Sequence, residues 1–363
     1  MNILHISTPA TWRGGEQQVY YLHEQLQLHT NVSSYLLCLN GGAIHQKVEA
    51  QNWPSIGLPN LRPFNFLAAK KIEQQSQQLG IQLIHAHDAH AFNLCILATD
   101  FWGMKIPFVF SRRLDFPLKN NFFTSYKYNH KSLKKIICVS NKIAEIIAPR
   151  IKDENKISVV HDGIDMNRFK PNSNILTNQY PQAAGKFLIG NTSSLVAHKD
   201  YPTFLKTAKN LLVIHKNLHF FIIGEGKRKA ELEQLANELG ITKNLTFTGF
   251  RTDITEILAE LDLFLMTSSE EGLGTSVLDA MATKVPVVST NAGGLPESVI
   301  HGKTGLVANV GDIEQLTNCV SNLLTDEGLR ALLVENAHKH IAENFTKQLM
   351  AKKTLAIYQQ VLA

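Results

Sequence analysis

With 363 residues, 44% apolar and 18% charged, the chain is too long for one ordinary domain and too apolar for a disordered polymer, and suits two cores of roughly 150 to 200 residues. Charge is uneven: residues 1–173 carry 19 Lys/Arg against 12 Asp/Glu, net +7, and residues 174–363 carry 17 against 19, net −2, so the first half either meets something anionic or is merely solvated. Met1–Ser7 lacks the basic region and apolar run of a signal peptide, and no stretch approaches the roughly 20 apolar residues that span a bilayer, so the expected place is the cytoplasm.

Short apolar runs rich in β-branched and aromatic residues alternate with segments of helical period, the pattern of parallel sheets covered by helices. In the first half the predicted strands are Asn2–Ser7, Val32–Leu39, Leu83–Asp88, Pro107–Arg112, Lys135–Ser140 and Ile157–His161, separated by helices such as Asn65–Leu79. Cys38, Cys95, Cys138 and Cys319 sit inside apolar runs, with no Cys-x-x-Cys and no nearby His at ligand spacing, and read as buried apolar residues. The segment 170–185 is polar, contains Pro and Gly and holds no periodic element, which puts a domain boundary near residue 173. Beyond it, strands are predicted at Phe187–Thr192, Leu218–Gly224, Leu245–Gly249, Leu263–Ser268 and Pro286–Thr290, with helices Tyr201–His215, Lys227–Leu239 and Thr275–Ala282 between them. This is a second doubly wound sheet, spanning 174–346. Helices Ile313–Thr325 and Leu329–Glu343 close it, and a last helix, Lys347–Leu362, follows Thr346 as a candidate N-cap and is expected to complete the first domain, 1–173. Open α/β sheets bind ligands beyond the carboxyl ends of their strands, so two facing sheets would hold a ligand in the cleft between them.

Chemistry is therefore sought at strand ends. The first strand leads to Trp12-Arg13-Gly14-Gly15-Glu16 and a helix from near Gln17; paired glycines there let a phosphate approach backbone N–H groups, or simply form a tight turn. The spacing is not Gly-x-Gly-x-x-Gly, so hydride transfer on a dinucleotide loses its main support. Residues Ser268–Ala282 run from a buried strand into a helix. Gly272, Gly274 and Thr275 offer N–H groups and a hydroxyl at a positive helix end, suited to a diphosphate, while Glu271 and Asp279 are carboxylates able to face one polyhydroxylated ligand. Acids favouring a first helical turn would account for Glu270, but poorly for the cluster. Lys199 follows another strand and would neutralise a departing diphosphate, although a loop lysine is usually just solvated.

His85, His87 and Asp88 end a further strand. They fit the polar lining of an acceptor site, a core-satisfied His85 or, less well, a metal site, for which no third ligand is evident in the spacing. Arg112 and Arg113 end the strand from Pro107 and call for anionic partners; a structural pair with Asp115 is the alternative.

Gly14-Gly15-Glu16, His85-Ala86-His87-Asp88, Val160-His161-Asp162-Gly163-Ile164-Asp165, Lys199, Gly224-Glu225-Gly226, Phe247-Thr248-Gly249-Phe250, the Glu271 to Asp279 block and Gly293-Gly294-Leu295-Pro296-Glu297 occur in order over residues 2 to 345. Together they resemble glycosyltransferase family 4. The resemblance implies an α/β GT-B architecture of two facing Rossmann-like domains. It also implies a donor that is mostly a UDP- or GDP-sugar, retention of anomeric configuration, and neither metal nor cofactor beyond the nucleotide sugar. By motif, Lys199, with His198 beside it, would neutralise the diphosphate and Glu271 would bind the donor sugar's hydroxyls. Gly272, Leu273, Gly274 and Thr275 would hold sugar and phosphates, Asp279 the ribose, and Gly224, Phe250 and Arg251 would border the nucleobase. Gly15 would close over the donor from the opposite domain. Asp88 and Arg113 are expected to join Lys199 and Glu271 in catalysis, with His87 and Arg112 on the acceptor side.

Three positions depart from the family pattern. Asp279 stands where the Glu-x7-Glu signature has its second Glu, Ser194 where an Arg often precedes the lysine, and Arg113 where many relatives have His. Arg cannot shuttle a proton but can clamp a phosphate or carboxylate. Between Lys119 and Lys135 basic residues interleave with aromatics and no acid occurs, which suits an anionic bilayer surface, a nucleic acid or a solvated helix; no nucleic-acid fold accompanies it. A peripheral place at the inner face of the cytoplasmic membrane, with a lipid-linked or glycan acceptor of cell-surface polysaccharide or lipopolysaccharide, follows from the first reading. The rivals are a nucleotide-sugar epimerase or phosphorylase on the same fold, and a non-catalytic sugar-nucleotide binder.

Overall fold

The structure, a computed structural model, describes residues 1–59, 65–169 and 174–363. The chain divides into two compact units, Met1–Gly163 with Lys347–Ala363, and Ile164–Thr346. Of the boundary expected near residue 173, positions 170–173 lie outside the described residues.

The first unit is built on seven parallel strands: β1 (Asn2–Ser7), β2 (Ser33–Leu39), β3 (Ser55–Leu58), β4 (Leu83–Ala86), β5 (Phe108–Arg112), β6 (Leu133–Cys138) and β7 (Ile157–Val159). Their order is β3-β2-β1-β4-β5-β6-β7, so the winding reverses between β1 and β4. The second unit has β8 (Phe187–Thr192), β9 (Leu218–Ile223), β10 (Leu245–Gly249), β11 (Leu263–Met266), β12 (Val287–Thr290) and β13 (Leu306–Ala308) in the order β10-β9-β8-β11-β12-β13. Its winding reverses between β8 and β11. Such reversal points leave a crevice beyond the strand ends, where loops turn to opposite faces.

The central strands are buried on both sides, which is why they read as unbroken apolar runs rather than alternations. β3 and β13 were not legible as strands: four and three residues are too short to show a period. β6 starts two residues before its predicted start, because Leu133 pairs with Phe108 ahead of a register shift that brings Lys135 opposite Val109. The helix expected from near Gln17 begins at Gly14, so the paired glycines lie in its first turn rather than in the loop before it.

Helix Lys347–Leu362 packs on helix Gly14–Gln27. Met350, Ala351, Ile357 and Tyr358 join Tyr21, Leu22 and Leu26 in one apolar cluster, and Lys347 Nζ donates to Glu24 Oε2 at 2.6 Å. All four cysteines are buried and free. Among the described residues no helix is long and apolar enough to cross a membrane.

Candidate functional site

In the second unit the loops after β8, β9 and β11 are bound to one another. Ser193 N and Leu195 N donate to Ile223 O (3.1 Å) and Glu225 O (2.9 Å), Gly224 N donates to Gly249 O (3.0 Å), and Ser269 N donates to His198 O (2.8 Å). Gly224 allows this packing: its φ is +146°, and a Cβ there would meet Ser193 O at 2.1 Å, so no side chain fits. Gly274, with φ +80° and Leu295 Cδ2 at 2.5 Å from a built Cβ, is similarly forced.

This framework brings Lys199 and Glu271 together. Lys199 lies in the turn Ala197–Lys199 after β8, Glu271 after β11, and Lys199 Nζ donates to Glu271 Oε2. Ser268 Oγ donates to the same oxygen at 3.3 Å. Both partners of the ion pair keep 14% of their side-chain surface exposed, so charge is gathered at the rim of the crevice rather than sealed into the core. Gly274 caps helix Thr275–Ala282 without any side-chain cap bond; Val277 N donates to Gly274 O at 2.9 Å, which leaves the amides of Thr275 and Ser276 to a ligand or solvent. One turn on, Asp279 Oδ2 takes a 2.5 Å ion pair from Arg168 Nη2, while Asp279 Oδ1 is buried with no hydrogen-bond partner among the described residues. Burial pushes the Asp279 carboxyl above its ordinary pKa and Arg168 pulls it back.

Gly272, Leu273 and Thr275 belong to the same loop and helix start, and His198 adjoins Lys199 in its turn. Phe250 is exposed after β10. Arg251 is committed elsewhere, to Asp253 through Nε at 2.8 Å and to Gln179 through Nη1 at 2.6 Å, so any nucleobase contact competes with that pair.

The first unit treats its polar strand ends differently. His5 on β1 and His85 on β4 are direct neighbours in register at the winding reversal, and His87 follows β4. The three imidazoles are buried: His5 Nδ1 and His87 Nε2 are 2.9 Å apart, and the His85 and His87 rings lie 3.8 Å apart. His85 meets Tyr358 Oη at 2.5 Å and Ser111 Oγ at 2.7 Å. Burial, reinforced by neighbouring imidazoles and, for His85 and His87, by Arg113, holds all three far below the usual histidine range. His5 supplies the third imidazole the spacing did not reveal, and ring nitrogens of the three lie within 4.8 Å of one another. Both nitrogens of His85 are hydrogen-bonded, however, so a metal would have to displace Tyr358 or Ser111.

Asp88 caps helix Ala89–Trp102, accepting from Thr8 N, Thr8 Oγ1, His90 N and Ala91 N at 2.7 to 3.0 Å. Arg113 pairs with Asp162 (3.5 Å) and donates to His87 O (3.2 Å); Asp162, not Asp115, is its carboxylate partner. Arg112 donates to Tyr128 Oη and Phe116 O. Gly15 sits in the first turn of helix Gly14–Gln27, with open space where a Cβ would be. Sequence reasoning missed His5, Tyr358 and Arg168. The first two become visible only through strand register and the docking of the last helix, and Arg168 carries no local signal of its partner.

Two family models match the chain: "Glycosyltransferase Family 4" over residues 12–168 and "Glycosyl transferases group 1" over residues 173–340. The chain is 26% identical over 309 residues to the N-acetyl-alpha-D-glucosaminyl L-malate synthase of Bacillus anthracis, covering 83% of this chain and 80% of that one. It is 29% identical over 168 residues to the lipopolysaccharide core biosynthesis glycosyltransferase LpsE of Rhizobium meliloti, covering 46% and 47%. Its fold is similar to that of Anabaena HepE, solved in complex with UDP and glucose, with a TM-score of 0.85 at 20% identity over 99% of this chain and 100% of that one.

Proposed function

As a member of the group 1 and family 4 glycosyltransferases, the chain is a sugar-transferring enzyme of GT-B architecture, and we propose that it moves a sugar, with retention and without a metal, from a UDP- or GDP-sugar to a hydroxyl of a glycan or lipid-linked acceptor. The observation that carries this reading is the Lys199–Glu271 pair beside the open amides of helix Thr275–Ala282. When the glycosidic C–O bond breaks, charge grows on the diphosphate, and an ammonium and a helix N-terminus already in place are what stabilise it. Released to the phosphate, Lys199 leaves Glu271 as an acceptor for sugar hydroxyls. With Glu271 given to the sugar hydroxyls and Asp279 held by Arg168, the acceptor hydroxyl attacks on the face the diphosphate leaves, and the departing phosphate oxygen takes its proton. The names of the B. anthracis and R. meliloti relatives and the UDP in HepE support donors and acceptors of this class.

A panel of UDP-, GDP-, ADP- and CMP-sugars, each with and without EDTA, tests the reading. One nucleotide should raise the apparent stability and be hydrolysed slowly whether or not EDTA is present. The anomeric proton of the transfer product should keep the donor's configuration. No response to any donor, an EDTA-abolished reaction or an inverted product would overturn the corresponding part.

A lipid-borne acceptor is favoured by one surface of the first unit. Phe122 (77% exposed) and Phe123 (76%) stand out from helix Phe122–Tyr128, whose Tyr126 bonds Asp100 at 2.9 Å. Next to Asp100, exposed Phe101 packs against exposed Phe66 with ring centroids 5.1 Å apart, Trp102 Nε1 donates to Phe66 O, and Leu67 is 77% exposed. Aromatics so displayed, with exposed Lys70, Lys71, Lys105, Lys119 and Lys131 nearby in sequence, suit the interface of an anionic bilayer. Lys127 and Lys135 contribute less than the sequence suggested, since their ammonium groups are held by Asn93 Oδ1 and Asn155 O. Phe122→Ser with Phe123→Ser should abolish co-sedimentation with phosphatidylglycerol vesicles and leave donor hydrolysis unchanged; binding equal to the parent's would remove this part.

A further inference from the structure

Asp279 stands where the family has the longer Glu, and its two oxygens have different fates. Oδ2 is taken by Arg168, whereas Oδ1 is buried and has no partner among the described residues. A buried carboxylate oxygen left in that state costs stability, and what it lacks is a hydrogen-bond donor. A phosphate offers none at neutral pH, but a sugar or ribose hydroxyl does.

Arg168 is placed by its own chain segment. Ile164 N donates to Phe345 O at 2.8 Å, Asp165 Oδ1 accepts from Asn167 N at 3.0 Å to shape the turn Met166–Arg168, and the guanidinium lies over the Phe169 ring, 4.9 Å from its centroid. The side chain thus reaches helix Thr275–Ala282 from a shaped turn and holds one oxygen of Asp279, leaving the other for a different partner. We propose that Arg168 is a positioning residue of the nucleotide site: by engaging Asp279 Oδ2 it aims Oδ1 of the shorter carboxylate at a ribose hydroxyl of the donor. The inference rests on the nucleotide-sugar reading above. A purely structural ion pair would support the fold without choosing between nucleotides that differ by one hydroxyl, and the test exploits that difference.

The experiment is isothermal titration of the full chain with UDP and GDP and with the 2′-deoxy and 3′-deoxy forms of whichever binds, alongside donor kinetics. A lost hydrogen bond to a charged group corresponds to roughly 10- to 100-fold in affinity, so the parent should prefer the ribonucleotide over one deoxy form by about that factor. Arg168→Gln should bring ribo- and deoxynucleotide to near-equal affinity and raise the donor KM about tenfold or more, with kcat at saturation changed far less. Arg168→Lys should restore part of the preference. Because Arg168→Gln could fail to fold, Asp279→Asn, isosteric and uncharged, provides a second route to the same loss, and in a folded double variant the two losses should not add. A ribose preference that survives folded Arg168→Gln or Asp279→Asn overturns the role of Arg168 while leaving the function standing. Absence of binding by both UDP and GDP overturns the nucleotide reading and this inference together.

Discussion

The two units place polar side chains at the same topological position, the point where a doubly wound sheet reverses, and use them in opposite ways. In the second unit Lys199, Glu271, Arg168 and Asp279 form two ion pairs that retain some exposure, and one carboxylate oxygen and the first amides of a helix stay unused. In the first unit His5, His85 and His87 are buried together, Asp88 spends one oxygen on capping a helix and the other on Thr8 N, and Arg113 is bound to Asp162 and to His87 O. The second unit's crevice thus carries charge that keeps some exposure; the first unit's polar groups are buried and engage mainly one another, with His5 Nε2 and His87 Nδ1 left without a partner among the described residues. Polar residues at a strand end are therefore a place to look for chemistry, and the exposure they retain decides whether a ligand can reach them.

Acidification should separate the units most strongly. Burial holds His5, His85 and His87 well below the usual range and His23 down to about 4, whereas in the second unit His219 is held down to about 4. Unfolded imidazole titrates near 6.5, so below that pH the unfolded chain binds protons that the folded unit refuses. The stability is intact above about 6.5 and lost as pH falls toward the folded values, by up to about 1.4 kcal/mol per pH unit for each such histidine. Native-state hydrogen exchange at pH 7.5, 6.5 and 5.5 should show β1 and β4 amides losing protection several times faster than β8 and β11 amides. Equal losses would mean the cluster is not neutral in the native state.

Next in size is the loss of the charge pair. Lys199→Ala or Glu271→Ala should lower kcat by roughly 10²- to 10³-fold, about 3 to 4 kcal/mol, with little change in thermal midpoint. The reverse pattern is expected of Tyr358→Phe, which strips His85 Nδ1 of its partner: about 1 to 3 kcal/mol of stability lost in the first unit, read from urea midpoints, and near-parental turnover. If Tyr358→Phe instead abolished transfer with stability unchanged, the division between a partly exposed charged site and a buried structural cluster would fail.

Much of this was readable in the sequence because the information is local. Eleven of the thirteen strands among the described residues appear as apolar runs, and Glu271, Gly274 and Asp279 lie on one short strand-to-helix segment whose Gly274 is required by its backbone geometry. The pairing of Lys199 with Glu271 is less local, yet both follow strands flanking the reversal, so topology brings them together. The fates of Asp88, Arg113 and His85 were not readable, because their partners Thr8, Asp162 and Tyr358 are distant in sequence and chosen by register and by the docking of the last helix. Arg168 was hidden for the same reason, its acid lying on a helix more than a hundred residues away.

The smallest effect gives the closest comparison, because it uses one residue type in both units. Ser111 Oγ contacts His85 Nε2 at 2.7 Å, and Ser268 Oγ donates to Glu271 Oε2 at 3.3 Å; both serines are buried. Removing either hydroxyl leaves nearly the same volume. Ser111→Ala strands a buried ring nitrogen and should lower stability by about 1 kcal/mol or more with no change in kcat. Glu271 keeps Lys199 and some exposure after Ser268→Ala, so the fold should hold, while the carboxylate loses one of the two contacts that orient it and kcat should fall by about two- to fivefold, near 0.5 to 1 kcal/mol. In a Lys199→Ala background the Ser268 effect should grow, since the serine would then be the carboxylate's remaining side-chain anchor among the described residues. Strict additivity of the two would show that Glu271 is held by the loop backbone, where Gly294 N donates to Glu271 O at 2.9 Å, rather than by its side-chain partners.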